Sequence, residues 1–376
     1  MMRLIVMIIL FLLSLLTFFR APTNLLWYVS ILVTEFSWMF FVGVIVLLLW
    51  HFGETRYNAA SLLIGVVAMA LFAIPVIEAY RTASVVKKIF TSNSHPPVTT
   101  EVLSSPYSFW RMLSLMNAKQ VGYTTLTYDS TNALTLDFYP ALAAGKKPCI
   151  IVVHGGSWAG GDSRQLPELN SELAKAGYPV ATINYRLAPK YKYPAPVEDL
   201  KTVLFFLRHH AYSLGIDTSS FVLLGRSAGG QIVISAAYTL NDPTIKGVIS
   251  FYGPVDMVWG YSNPTNPLVL NSRKVMADYL GGTYSQVPQQ YVNSSGTETA
   301  NSKAVPTLLI HGENDPLVSY LHGVRLGKKL DGLGVKHYDI YLPWATHGFD
   351  WTLNGPGGQL STWCVMRFLE KLTAYR

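Results

Sequence analysis

Three long apolar runs open the chain. Residues 4–19 carry no charge between Arg3 and Arg20, residues 25–50 are interrupted only by Glu35, and residues 59–77 are again uncharged. Crossing a bilayer core takes about 20 residues. The pattern therefore predicts transmembrane helices near 4–19, 29–52 and 59–79. The first is short, and its flanking arginines can snorkel to the interface. A cleaved signal peptide would need small residues after the apolar core. Phe18-Phe19-Arg20 stand there instead, so the run reads as an uncleaved span. Glu35 reads as an interfacial residue at the end of the second span rather than as a functional intramembrane carboxylate.

The pattern changes downstream. Residues 81–90 predict a short helix leaving the membrane, with Lys87 and Lys88 at the lipid headgroups. Residues 92–106 are rich in Ser, Thr and Pro, the composition of a linker. From about 121, short apolar runs alternate with helical periodicity. Strands are expected at 124–128, 134–139, 149–153, 179–184, 221–224, 247–252, 307–310 and 337–341. Helices are expected at 168–176, 197–207, 229–240 and 361–372. Continuous apolar runs such as 149–153 suit parallel strands covered on both faces. The alternation implies an α/β domain over 121–376 with a mostly parallel central sheet flanked by helices. Residues 257–303, between two strands, read as a cap-like insertion. No internal repeat is visible.

Composition sharpens the division. Charged residues make up 14% of the chain, against about 25% in ordinary soluble chains. The first 80 residues are net neutral, so the whole surplus of +7 lies beyond them. It forms no basic stripe, so nucleic acid is not an expected partner. Two cysteines exclude a disulfide scaffold and a cysteine-built zinc site. With three spans, Arg3 and Arg56 face one side, and Arg20, Arg81, Lys87 and Lys88 the other. The positive-inside rule then puts the C-terminal domain on the cytoplasmic face of a multi-pass membrane protein. The sequon Asn293-Ser294-Ser295 reads as a chance triplet.

Ligands of such sheets bind beyond the carboxyl ends of the strands, so chemistry is expected there. Gly225-Arg226-Ser227-Ala228-Gly229 follows the strand at 221–224 and precedes a helix. This is the G-x-S-x-G nucleophile elbow in its strand-turn-helix context. A serine needs a base, and the base an orienting carboxylate. The next two strand ends supply Asp315, with Glu313 as the fallback acid, and His347. The order Ser227, Asp315, His347 is that of α/β-hydrolases. After the strand at 149–153 come His154-Gly155-Gly156-Ser157-Trp158. The amides of Gly156 and Ser157, with that of Ala228, are the expected oxyanion hole. Trp158 and Trp344 are candidates for the substrate pocket, with core packing as the alternative. Asp199 reads as a brace for the Tyr185-Arg186 loop. His209-His210 have no matching ligands in the sequence, so no metal is expected.

The motifs together resemble the hormone-sensitive-lipase-like and feruloyl-esterase-like carboxylesterases of the α/β-hydrolase superfamily. The resemblance rests on Leu136-Asp137-Phe138-Tyr139-Pro140, the H-G-G-S-W loop, Asn184-Tyr185-Arg186-Leu187-Ala188-Pro189, Tyr193-Pro194-Ala195, Glu198-Asp199, G-R-S-A-G-G, H-G-E-N-D-P and H-G-F. It covers roughly two thirds of the chain and not the first eighty residues. It implies Ser227 as nucleophile, His347 as base, Asp315 as orienting acid, and Gly156, Ser157 and Ala228 as oxyanion donors. Ser157-Trp158 departs from the H-G-G-G form, towards members that include methylesterases and formamidases. The expected function is a membrane-anchored serine hydrolase of a small or lipid-like carboxylic ester, without a cofactor. An amidase, arylformamidase or acyltransferase on the same triad is the alternative within enzymes. A catalytically silent binding module is the alternative outside them. Nothing in the pattern specifies an acyl length or an oligomeric state.

Overall fold

The structure is a computed structural model and describes residues 2–50, 58–91, 105–114, 119–143 and 147–373. Among the described residues, the N-terminal region holds a 3-10 helix at Leu15–Thr17 and four α-helices: α1 (Met2–Ser14), α2 (Asn24–Glu35), α3 (Ser37–Leu49) and α4 (Asn58–Thr91). The Thr23 hydroxyl caps α2 by accepting from the Leu26 amide.

The expectation of three separate spans is not met. The run expected as one helix near 29–52 breaks at Phe36 into α2 and α3, which meet at 81°. Among the described residues, α4 is the one helix long and apolar enough to cross a membrane by itself. The bent pair qualifies only when joined, and α1 is shorter. The cytoplasmic orientation assumed three spans and loses that basis. One of its counted charges, Arg56, and most of the expected linker lie outside the described residues.

Glu35 ends α2 beside the break. It is fully buried and accepts a hydrogen bond from the Gly357 amide at 3.1 Å. Gly357 lies in the first turn of the C-terminal helix Pro356–Thr373, where main-chain amides lack helical partners. A carboxylate that finds donors there binds α2 to the C-terminal domain rather than to a membrane surface.

The expected short helix at 81–90 is no separate element. It is the last part of α4, whose 34 residues extend about 51 Å. Its Ala79, Ala83, Val86 and Phe90 join one core of the C-terminal domain. Phe90 stacks on Tyr338 at 4.8 Å and meets Trp363 edge-on. Lys87 and Lys88 point away from that core.

Among the described residues, the C-terminal domain carries eight strands: β1 (Thr124–Asp129), β2 (Leu134–Tyr139), β3 (Cys149–Val153), β4 (Val180–Ile183), β5 (Phe221–Arg226), β6 (Ile245–Phe251), β7 (Thr307–Gly312) and β8 (His337–Leu342). Their order in the sheet is β1-β2-β4-β3-β5-β6-β7-β8. β2 is antiparallel to β1 and β4, and the strands from β4 to β8 are parallel. The central strands β3 and β5 are buried throughout, as continuous apolar runs require. Ile151, Val153 and Leu223 pack on one face with the helices Ala195–His209 and Ala228–Thr239. Ile150, Val152 and Leu224 pack on the other with the C-terminal helix and the end of α4. The parallel strands share one direction, so the loops after β3, β5, β7 and β8 meet at one edge.

Candidate active site

Ser227 stands between β5 and the helix Ala228–Thr239 with φ 52° and ψ −118°. A positive φ at a residue with a side chain is sterically costly, about 1–3 kcal/mol, and the surroundings enforce it. A Cβ at Gly225 would fall 2.1 Å from the Gly229 carbonyl oxygen, and one at Gly229 2.2 Å from that of Val153. The elbow therefore closes only with glycine at both positions.

The loops after β7 and β8 bring Asp315 and His347 together. His347 Nδ1 lies 2.6 Å from Asp315 Oδ2. The other carboxylate oxygen accepts from the amides of Leu317 and Val318 at 2.8 and 2.9 Å. His311 Nε2 approaches Oδ2 at 3.2 Å. Burial alone would raise the Asp315 pKa, but the charge of His347 and the hydrogen bonds of His311 and His347 outweigh it. The carboxyl is held well below the usual range, and so is ionised. Glu313, the fallback acid, instead offers its main-chain oxygen to Arg20.

Gly156, Ser157 and Trp158 follow β3 with successive φ values of 120°, 53° and 60°. Ala228 is the first residue of its helix, so its amide has no helical carbonyl to bond. Ser157, Ala228, Ser227 and Asp315 line one cavity of about 420 Å³, within the size range of small-ligand sites. His154 is not part of it. Its ring stacks on Tyr185 at 4.3 Å, its Nδ1 lies 2.7 Å from the Gly155 oxygen, and burial lowers its pKa.

The two tryptophans separate. Trp158 lines the cavity and stacks on Tyr279 at 4.4 Å, with 5° between the rings. Its indole N–H donates to Gln231. Trp344 is buried in the core behind the sheet and does not line the cavity. The insertion at 257–303 contributes Asn266, Val269, Leu270, Val275 and Met276 to the wall. Asp199 accepts from the amide and Nε of Arg186 at 2.8 and 2.6 Å, so it sits at the loop it was expected to brace. His209 and His210 rest on the rings of Phe205 and Phe206. No group of three potential metal ligands occurs among the described residues.

Several cavity and loop residues carry no motif that marks them in the sequence. Arg20, Ala21 and Pro22, the turn before α2, line the cavity. The Trp27 indole donates to the His347 carbonyl at 2.9 Å. Tyr252 stands 4.4 Å from the His347 ring. Its hydroxyl is held by Asp350 at 2.6 Å, and Asp350 is paired with buried Arg226 at 2.5 Å. One signal was available: Ser30, Thr34 and Glu35 place polar groups on one face of an otherwise apolar run.

The sheet order, the serine elbow after β5 and the crossing loops define an α/β-hydrolase. The BD-FAE family model matches residues 136–330, just over half of the chain, and the chain belongs to that family. It is 29% identical over 238 residues to the probable carboxylic ester hydrolase LipM of Mycobacterium tuberculosis, covering 59% of this chain and 54% of LipM. It is 28% identical over 223 residues to the ethyl acetate hydrolase of Pseudomonas putida, covering 56% of this chain and 67% of that enzyme. The chain thus spans about half the length of LipM. Among solved structures, the bacterial heroin esterase superposes with a TM-score of 0.59 at 23% identity, over 69% of this chain and 87% of that one. A hyperthermophilic esterase from Pyrobaculum calidifontis gives 0.57 at 20% identity, over 68% and 87%. At these identities the structures speak for the fold.

Proposed function

We propose that the protein is a membrane-attached serine esterase acting on carboxylic esters through an acyl-enzyme. The observation that carries this reading is the 2.6 Å contact between His347 and Asp315 beside a cavity that Ser227 lines. Asp315 holds the imidazole with Nδ1 protonated, leaving Nε2 to accept the Ser227 proton. Ser227 Oγ attacks the ester carbonyl. The oxyanion is met by the amides of Ala228, Gly156 and Ser157. His347 then protonates the leaving alcohol. Water, activated by the same imidazole, releases the acid and regenerates Ser227. The steps need no cofactor.

The cavity wall is mainly apolar, with Val269, Leu270, Val275, Met276 and Leu317 prominent. It suits a short or medium acyl group. The membrane part of the reading rests on α4 and on the outward apolar side chains of α1 to α4, among them Ile5, Leu12, Leu25, Leu49 and Leu63. Exposed apolar surface on this scale marks a contact with lipid or protein.

The test is a panel of p-nitrophenyl esters of increasing acyl length, with matching anilides, on the full chain and on Ser227→Ala. Ester turnover that declines at long acyl chains and disappears in Ser227→Ala is expected. Anilide turnover exceeding ester turnover would replace the esterase by an amidase. Undiminished activity in Ser227→Ala would remove the mechanism.

A further inference from the structure

Ser227, Asp315 and His347 all lie in the C-terminal domain, yet four side chains of α2 reach the loop that carries His347 or the helix that follows it. The Trp27 indole N–H donates to the His347 carbonyl at 2.9 Å, and the Trp27 ring stands 6.0 Å from the imidazole, inclined at 68°. One turn on, Ser30 Oγ lies 3.1 Å from Thr346 Oγ1. Ile31 lies against Gly348, where an added Cβ would sit 3.4 Å from its methyl. Two turns beyond Trp27, Glu35 accepts from Gly357. Spacings of three and four residues put these side chains on one helix face. Leu25, Tyr28 and Leu32 are exposed instead. On this apolar helix the Ser30 hydroxyl meets the His347 loop, and the Glu35 carboxylate meets the helix after it.

The helix is also clamped at its start. The Asn24 amide donates to the Leu268 carbonyl at 3.0 Å, and its side chain to that of Val269 at 3.2 Å. Before it, Arg20 donates twice to the Glu313 carbonyl. Glu313 lies two residues before Asp315. The N-terminal region thus grips both the acid loop and the base loop.

We propose that α2 is part of the catalytic centre, with Trp27 a positioning residue for His347. The imidazole is restrained by Asp315 at Nδ1 and by the Tyr252 ring on one side. Nδ1 alone leaves the ring free to swing about that hydrogen bond. Trp27 fixes the main chain beneath it and closes a second side. Small displacements of a catalytic group are costly: about 1 Å can cost ~100-fold in rate. The proposal rests on His347 being the base, and the experiment separates the two.

Steady-state kinetics on p-nitrophenyl acetate would be measured for the full-length Trp27→Phe, Ser30→Ala, His347→Ala and Trp27→Phe/His347→Ala chains. Leu32→Ala, on the exposed face of α2, is the control. Trp27→Phe keeps a ring and removes the N–H. The expected result is a fall in kcat of roughly 10-fold, with KM within twofold and a smaller fall for Ser30→Ala. In the His347→Ala background, Trp27→Phe should change the residual rate by less than twofold, because its effect acts through the imidazole. Far-UV circular dichroism and gel filtration of each variant separate loss of kcat from loss of folded protein. Wild-type kcat in Trp27→Phe, or an equal fall in both backgrounds, would overturn the positioning role and leave the base assignment standing. Near-normal turnover in His347→Ala would overturn the base assignment, and the Trp27 proposal with it.

Discussion

Ser227 shows how much one residue can be read from its neighbours. The elbow was legible because its glycines are sterically forced, and a forced residue leaves its mark in the sequence. Trp344 was not legible, since an aromatic side chain after a strand fits a pocket wall as well as a core. Only three-dimensional placement tells the two apart. His322 belongs to neither class. It lines the cavity, accepts from the Asp256 amide at 3.2 Å, and burial pulls its pKa down to about 3. It is therefore neutral in the folded chain, whereas the unfolded chain protonates it near the ordinary histidine value of about 6.5. Between those values the unfolded state binds more protons, so stability rises with pH and falls as pH drops from about 6.5 towards 3. His322→Gln is expected to flatten the pH dependence of the unfolding free energy in that window, by at most about 1.4 kcal/mol per pH unit. Urea unfolding at a series of pH values checks this, and an unchanged slope would mean that the buried ring is not what titrates.

Among elements, the strands were the most legible. β3 and β5 are continuous apolar runs because both faces are covered, and all eight expected strands form within a few residues of their expected bounds. The N-terminal helices were the least legible. Apolar composition measures a helix's avoidance of water, but lipid and a protein core satisfy it equally. The break at Phe36 and the continuation of α4 into the core were therefore hidden. Glu35 was the informative exception, a carboxylate in an apolar run that demands donors. Glu35→Ala removes the acceptor from the Gly357 amide and leaves that donor buried. It should lower stability by about 1–3 kcal/mol, seen as a lower thermal midpoint. An unchanged midpoint would mean that the docking of α2 on the C-terminal helix contributes little.

At the scale of the whole molecule, the division at residue 80 holds for composition but not for packing. α4 carries its apolar first half outward and its last turns into the hydrolase core. The turn before α2 forms part of the cavity wall. Removing residues 1–80 should therefore release the protein from membranes and also lower kcat about 10-fold or more, because the His347 loop loses its second support. Carbonate-washed membrane fractions and kinetics on the same preparations check both effects. A truncated chain that stays in the membrane pellet would mean that residues 1–80 are not the anchor, and one that turns over at the full rate would mean that they do not support the His347 loop.

The central claim is that Ser227 is an activated nucleophile, and covalent labelling tests it most directly. The full-length chain would be treated with a fluorophosphonate, digested, and the modified residue located by mass spectrometry. The account predicts a single adduct on Ser227, formed at a rate that falls by several orders of magnitude in His347→Ala. An adduct on another serine, or labelling of Ser227 at an undiminished rate without His347, would contradict it.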